Sequence, residues 1–392
     1  MKRLVPLAAS AAVCLHAHAQ GSIALYGIID EGINYNSNMN GGRSYAMQGG
    51  VMAGSRWGLR GSEDLGNGMR AIFTLENGFD NNTGRLGQGG LLFGRQAFVG
   101  LSTDWGTLTF GRQYDVNADF VGPLEAASQW AGNIGAHPGD MDNLNYALRT
   151  NNSVKFRSVS YRGLSFAAMY GLGGVPGDVT RNQAWSVAVG WARGPLSLAA
   201  GYVNVRNPNL SLFGNSTTGT PSAAIENSAY PSFNGFLSAH TWQVASVGGN
   251  YTFGAARVGL VYSNIAFQSL GDTSSGPDPS GYTGSVHFSA LEANFRYQLT
   301  PAMFVGLAYV YMNRSSIGSS SGENAGAIYR QGMASLDYLL SKRTDVYLLG
   351  ILQEASGTDS RNLGAIASIT NQSSPSASNR QAVVRVGMRH RF

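Results

Sequence analysis

The stretch "AVVRVGMRHRF", Ala382 to Phe392, ends the chain. Val384, Val386, Met388, His390 and Phe392 share one parity. Val383, Arg385, Gly387, Arg389 and Arg391 share the other. Successive side chains of an extended strand point to opposite faces, so the stretch predicts a strand with an apolar face and an arginine face. A water-soluble sandwich would turn the apolar face inward. A membrane barrel would turn it outward. Alternation alone does not separate the two.

The rest of the chain repeats the pattern. "SIALYGIIDEGI" (Ser22–Ile33) alternates and runs into a Gly/Asn-rich loop. Seven longer segments then read as strand, tight turn, strand, with turns at Ser62–Gly68, Ser102–Gly106, Arg162-Gly163, Arg193–Pro195, Phe253–Ala255, Thr300-Pro301 and Ser341–Arg343. With one strand at each end, the count is sixteen. The connectors between hairpins are long and rich in Gly, Ser, Asn and Pro: about 35 residues around Asp115–Arg149 and nearly 40 around Asn204–Thr241. Short turns at one end and long loops at the other are the asymmetry of a transmembrane barrel.

The faces agree with that class. Trp185, Val187, Val189 and Trp191 oppose Ala184, Ser186, Ala188 and Gly190. Leu291, Ala293, Phe295 and Tyr297 oppose Glu292, Asn294, Arg296 and Gln298. Arg and Glu thus sit well inside the strands. The strands run about 9–11 residues, the length that crosses a tilted bilayer. Aromatics gather near strand ends (Tyr26, Trp105, Tyr170, Trp191, Tyr202, Tyr251, Phe253, Tyr297, Tyr311), as interfacial girdles do. Composition points the same way. Charged residues make up 12% of the 392, with 53 glycines and 43% apolar residues, against roughly 25% charged in soluble domains. No apolar run reaches the roughly 18 residues of a membrane helix. The fold predicted is all-β, a sixteen-stranded antiparallel transmembrane barrel, which leaves no free strand edge in hydrocarbon.

The N-terminus is a separate object. Lys2 and Arg3, the apolar Leu4–Leu15 and the small-x-small Ala17-His18-Ala19 read as a secretory signal peptide, residues 1–19, ahead of a barrel domain at 20–392. Cys14, the single cysteine, lies inside it, and Val13 before it does not fit a lipoprotein site. The exported chain therefore has no thiol chemistry. Without Lys2 and Arg3 it carries 25 basic and 22 acidic residues, too slight an excess to argue for nucleic acid.

"SIALYGIIDEGI", "SRWGLRGSEDLGNGMRAIFTLENGF", "FGRQAFVGL", "WGTLTFGRQYD", "NSVKF" and the terminal Phe392, in this order, resemble the Gram-negative general porins, the sixteen-stranded trimeric type. The resemblance covers essentially the whole exported chain. It implies a homotrimer set among outer-membrane lipids and lipopolysaccharide, each subunit with a water-filled pore for small hydrophilic solutes. It also implies that Phe392 is a signal read by the barrel-assembly machinery. The last strand must pair with "SIALYGIID" to close the ring.

A sixteen-stranded barrel is too wide for side chains to fill. In the family, the third long loop folds inward and faces a wall of arginines. Here that loop is Asp115 to about Arg149, carrying Asp115, Asp119, Glu125, Asp140 and Asp142. Parity selects the wall: Arg56 and Arg60 oppose Trp57 and Leu59; Arg149, Lys155 and Arg157 oppose Val154 and Phe156; Arg95 is inward if Phe98 faces out. Glu76, opposite Leu75, joins Asp115, Asp119 and Glu125 on the acidic side. Some of these bases can instead brace the loop by pairing with its acids. Arg112 shares parity with Leu108 and Phe110, so it points outward, toward a subunit contact. Many relatives carry Pro-Glu-Phe-Gly-Gly at the loop tip. This chain has Gly122-Pro123-Leu124-Glu125 and then Gln129-Trp130-Ala131-Gly132, with Glu125 as the leading acid. The basic set outnumbers the inward acids, which predicts mild anion preference.

No catalytic residue, cofactor or metal is expected. His137 stands near Asp140 and Asp142 in "HPGDMD", a hint of a His–Asp pair or metal that a polar pore loop explains as well. His240 and His287 show no partner in the sequence. The Gly clusters lack a phosphate-loop Lys-Ser/Thr, and no nucleophile elbow occurs. A substrate-specific channel and, more distantly, a barrel hydrolase stay open as alternatives.

Overall fold

The computed structural model describes residues 21–216 and 220–392; the signal-peptide expectation for residues 1–19 lies outside them. Sixteen crossings form one closed antiparallel barrel. In chain order they are β1 (Ser22–Met39), β2 (two segments, Gly42–Met47 and Arg56–Gly66), β3 (Met69–Gly78), β4 (Gln96–Thr103) and β5 (Gly106–Gln113). After the third loop come β6 (Thr150–Ser158), β7 (Leu164–Gly171), β8 (Ala184–Arg193) and β9 (Leu196–Arg206). The last seven are β10 (Thr241–Phe253), β11 (Ala256–Leu270), β12 (Gly284–Thr300), β13 (Met303–Arg314), β14 (Ala327–Leu339), β15 (Thr344–Gly357) and β16 (Arg380–Arg391). All seven hairpin turns fall where the sequence places them.

Alternation sets the faces. Along β16, Val384, Val386 and Met388 are 44%, 61% and 48% exposed, whereas Val383 and Arg385 are buried. The apolar parity therefore faces outward and the arginine parity inward. Val187, Val189, Leu260, Leu291, Leu307 and Leu348 continue the outer apolar belt. Trp105, Tyr170, Tyr251, Phe253, Tyr297 and Tyr311 are exposed with it. Tyr26 is a correction to the aromatic set: its hydroxyl donates to Glu76 at 2.9 Å, so it belongs to the inner wall.

The ring closes between β1 and β16, with Ile28–Asn36 paired to Val383–Arg391. Phe392 extends the seam by exchanging two backbone hydrogen bonds with Gly27, each 3.1 Å. Closure thus slides along β1. The Ser22–Ile28 stretch pairs on its other side with Arg56–Ser62. β1 also runs six residues past the predicted Ile33, because Ile33–Met39 finds a partner in Gly42–Met47.

Between its two segments β2 leaves the sheet at Gln48–Ser55 and dips inward. Asp30 holds this insertion by accepting from the Val51 and Met52 N–H groups at 2.9 and 3.2 Å. The fifth connector also folds inward: Phe233, Phe236 and Leu237 pack on the inner-wall residues Trp242, Phe267 and Phe288.

Candidate functional site

The third loop decides how wide the channel is. It opens with helix α1 (Val116–Val121), whose N-cap Asp115 accepts from the Ala118 N–H at 2.9 Å, leaving one fewer orphan donor at the helix end. The loop lies inside the barrel, against its wall. Val116, Phe120, Val121, Leu124 and Leu144 pack on Ala167, Met169, Ala188, Ala199 and Val261. Farther along, Trp130, Ala131 and Ile134 pack on Phe304, Met333 and Val383, joined by Val51 and Met52 of the β2 insertion. Asn133 ties loop to insertion through its N–H, 2.7 Å from the Val51 carbonyl oxygen. Burying Trp130 to 2% exposure stabilises the inward fold by roughly 4–6 kcal/mol at about 25 cal/mol per Å².

Glycine makes two of these seats. A Cβ on Gly306 would stand 2.3 Å from the Trp130 indole, and one on Gly201 would stand 2.4 Å from Asn117. Loop and wall touch because those positions lack a side chain.

The predicted bases fall into two groups. Arg95 Nε lies 2.8 Å from Glu76 and Arg56 Nε lies 3.7 Å from it, while Arg60 stacks on Tyr26 at 4.8 Å. The second group braces the loop. Lys155 Nζ reaches Asp119 at 2.8 Å and the Tyr114 carbonyl at 3.0 Å. Arg157 stacks on Phe120 at 4.9 Å. Arg149 stacks on Tyr114 at 4.9 Å and donates to its hydroxyl at 2.9 Å.

Arg95 arrives inward by a different route from the one parity supplies. Phe98 pairs with Thr74, which pairs with Arg60, so Phe98 shares the inward face. Arg95 precedes β4, and its loop geometry carries it to Glu76. Arg112 is held by atoms of two loops and of β6: it donates to the Gly94 carbonyl at 2.9 Å, to Ser216 at 3.3 Å and to Asn151. The pairing register shifts between Gly111 and Gln113, where simple alternation stops applying.

The acids differ more from expectation. Glu76 stands within the arginine wall. Asp115 is spent on the helix cap, and Asp119 on Lys155. Glu125, expected to lead the loop into the channel, is fully buried against the wall. It lies beside Glu292 of β12 and His137, whose ligand atoms sit within 4.8 Å of one another. His137 and Asp142 are buried as well, 2.7 Å apart, so these two residues of "HPGDMD" form an inner brace, while Asp140 between them reaches the cavity lining. Burial pushes the Asp115 carboxyl up to about 6. Burial and Asp142 push Asp140 up to about 8. Burial also raises Glu125 well above its ordinary range.

A cavity of about 1070 Å³ lies between wall and loop. Arg56, Arg95 and Arg149 line it together with Ala127, Ser128, Asn133, Asn145 and Tyr146 of the third loop. Arg389 and Arg391 join the lining, with Asp80 and Asp140 as its acids. Alternation signalled Arg389 and Arg391 as inward. Nothing in the sequence paired Glu292 with a loop so much earlier in the chain.

A closed barrel with an apolar exterior, an inward-folded third loop and an arginine-lined cavity is a channel architecture. Residues 7–351 match the family model of the Gram-negative porins. The chain belongs to that family. The porin is 29% identical over 433 residues to an outer membrane porin protein of Bordetella pertussis, covering all of both chains. It is 27% identical to outer membrane porin protein 32 of Delftia acidovorans, covering 99% of this chain and 98% of that one. Among solved structures, the anion-selective porin from Comamonas acidovorans superposes with a TM-score of 0.71 at 19% identity, over 95% of this chain and 100% of that one. The porin is a multi-pass barrel of the outer membrane, and it provides a water-filled path for passive diffusion of small hydrophilic solutes and ions.

Proposed function

We propose that this porin favours small anions over cations, with Arg56, Arg95 and Arg149 forming the basic side of its waist and Arg60, Lys155 and Arg157 adding positive charge beside it. The reading rests on the cavity lining, where Arg56, Arg95, Arg149, Arg389 and Arg391 stand with two acids, Asp80 and Asp140, while behind the lining Glu76 pairs with Arg95 and Asp345 with Arg389 and Arg391. The loop acids Asp115, Asp119 and Glu125 are spent in a cap, a pair and burial, which leaves the lining with more arginine than acid. Rings of arginine favour anions, and guanidinium keeps its charge when crowded. The anion-selective character named for the Comamonas relative supports the same direction.

The working unit in this reading is a homotrimer held in outer-membrane lipid and lipopolysaccharide. Residues 1–19 direct export, and Phe392 serves the barrel-assembly machinery. The protein is a conduit and not a catalyst. Planar-bilayer recordings test this. Insertion in conductance steps of three, linear current with concentration, and a reversal potential of anionic sign across a KCl gradient are expected. A cationic sign would reject the basic waist. Saturation by one solute would favour a substrate-specific channel.

A further inference from the structure

Behind the third loop, away from the water path, lies a cluster that channel conduction does not use. Glu125, His137, Asp142 and Glu292 are each at most 1% exposed. Three carboxyl groups share one imidazole, more acid than a single base can pair. The ligand atoms are also oriented and unsatisfied. His137 Nδ1 lies 2.7 Å from Asp142 Oδ2, and Nε2 faces the glutamates; with Nδ1 donating to the carboxylate, Nε2 keeps its lone pair for a ligand. Glu292 Oε1 accepts from the Ala126 N–H at 2.8 Å and from Asn294 Nδ2 at 2.7 Å, which leaves Oε2 free to face His137. Both oxygens of Glu125, Nε2 of His137 and Oε2 of Glu292 have no hydrogen-bond partner.

We propose that Glu125, His137 and Glu292 bind one divalent cation of borderline character, zinc being the representative, and that this ion pins the third loop to β12. His137 Nε2 and Glu292 Oε2 stand 3.5 Å apart, close to the edge of a tetrahedron whose metal–ligand bonds are about 2.1 Å. The Glu125 carboxylate lies within 4.8 Å of both, so a small rotation completes a three-ligand set. Asp142 plays the supporting part that carboxylates take behind metal-bound histidines, fixing the tautomer and the ring orientation. One imidazole nitrogen with only three protein donors suits zinc better than calcium, which takes about 6–8 oxygens.

The test uses the full-length protein in detergent, stripped with chelator and then given ZnCl₂. Metal retained after desalting is counted by plasma mass spectrometry. The wild type should hold one zinc per subunit, and its heat-denaturation midpoint should rise with the metal. Glu125→Gln, isosteric and uncharged, should weaken retention by at least about tenfold and lose the shift. His240→Gln should behave as wild type; it removes the half-exposed His240–Asp272 pair, the obvious adventitious binder. Equal retention by Glu125→Gln, no retention by wild type, or displacement of zinc by equimolar CaCl₂ would overturn the assignment. Should Glu125→Gln fail to fold, zinc-edge X-ray absorption on the wild type decides. A single imidazole with oxygen ligands at about 2.0–2.2 Å supports the site, and two or more imidazoles refute it.

Discussion

Arg385 Nη2 lies 2.9 Å from Asp30 Oδ1, with both side chains fully buried, and the pair bolts the last strand to the first. The guanidinium also donates to Asn34 and to the Gln48 carbonyl, each at 2.8 Å, and to the Tyr347 hydroxyl at 2.7 Å. Asp30 in turn holds the β2 insertion that supports the third loop. Removing one partner leaves the other charge buried and alone, a cost of about 3–5 kcal/mol. Arg385→Met should lower the urea midpoint of barrel unfolding accordingly. Asp30→Asn combined with Arg385→Met should recover part of that loss. A wild-type midpoint in the single variant would show that the backbone seam closes the ring unaided.

Selectivity should respond to where a charge sits. Arg56 lines the cavity, while Arg60 stacks on Tyr26 outside the lining residues. Arg56→Glu should shift the KCl-gradient reversal potential toward cations more than Arg60→Glu does. Both shifts should shrink at 1 M salt, where screening acts over about 3 Å. Equal shifts would mean that overall lumen charge, and not the waist, sets the preference.

Asp115 gives the loop a pH dependence of definite sign. Its folded carboxyl is raised to about 6 from an ordinary 3.8 by burial. The folded state therefore binds the proton more tightly than the unfolded one. The associated stability is full below about pH 4 and falls away as pH rises through about 6. Asp115→Asn keeps a capping oxygen but cannot ionise. The stability difference between variant and wild type should move in the variant's favour by roughly 3 kcal/mol from pH 3 to pH 7. Parallel pH profiles in denaturant titrations would refute the assignment.

Strand faces and hairpin turns were legible because both are local: a period of two, and Gly, Asn or Pro at the turn. Arg56 and Lys155 were placed inward by that rule alone. It stopped working where the backbone leaves the strand. Arg95 reaches Glu76 from a loop, and Arg112 follows a register shift. Glu125 was expected in the channel, since a short acidic tip reads the same whether it faces water or wall. Its burial depends on His137 and on Glu292, far along the chain, and on Trp130 finding a glycine to sit against. The second half of β1 was missed because its partner, Gly42–Met47, reads as loop by composition.

The seat beneath Trp130 makes the loop's position testable from the wall side. Gly306 lies on the inner face of β13, and a methyl group there would approach the indole to 2.3 Å. Contacts that short are not tolerated, so in Gly306→Ala the indole must lift and carry the loop toward the water path. Single-channel conductance should fall, and overpacking should cost about 1–3 kcal/mol of stability. Trp130→Ala in the same chain removes the clash. That double variant should regain conductance while losing the packing of a large buried aromatic, about 3–5 kcal/mol. Conductance and stability then move in opposite directions, which a general unfolding defect cannot produce. Unchanged conductance in Gly306→Ala would show that the loop's position at the waist does not depend on this contact.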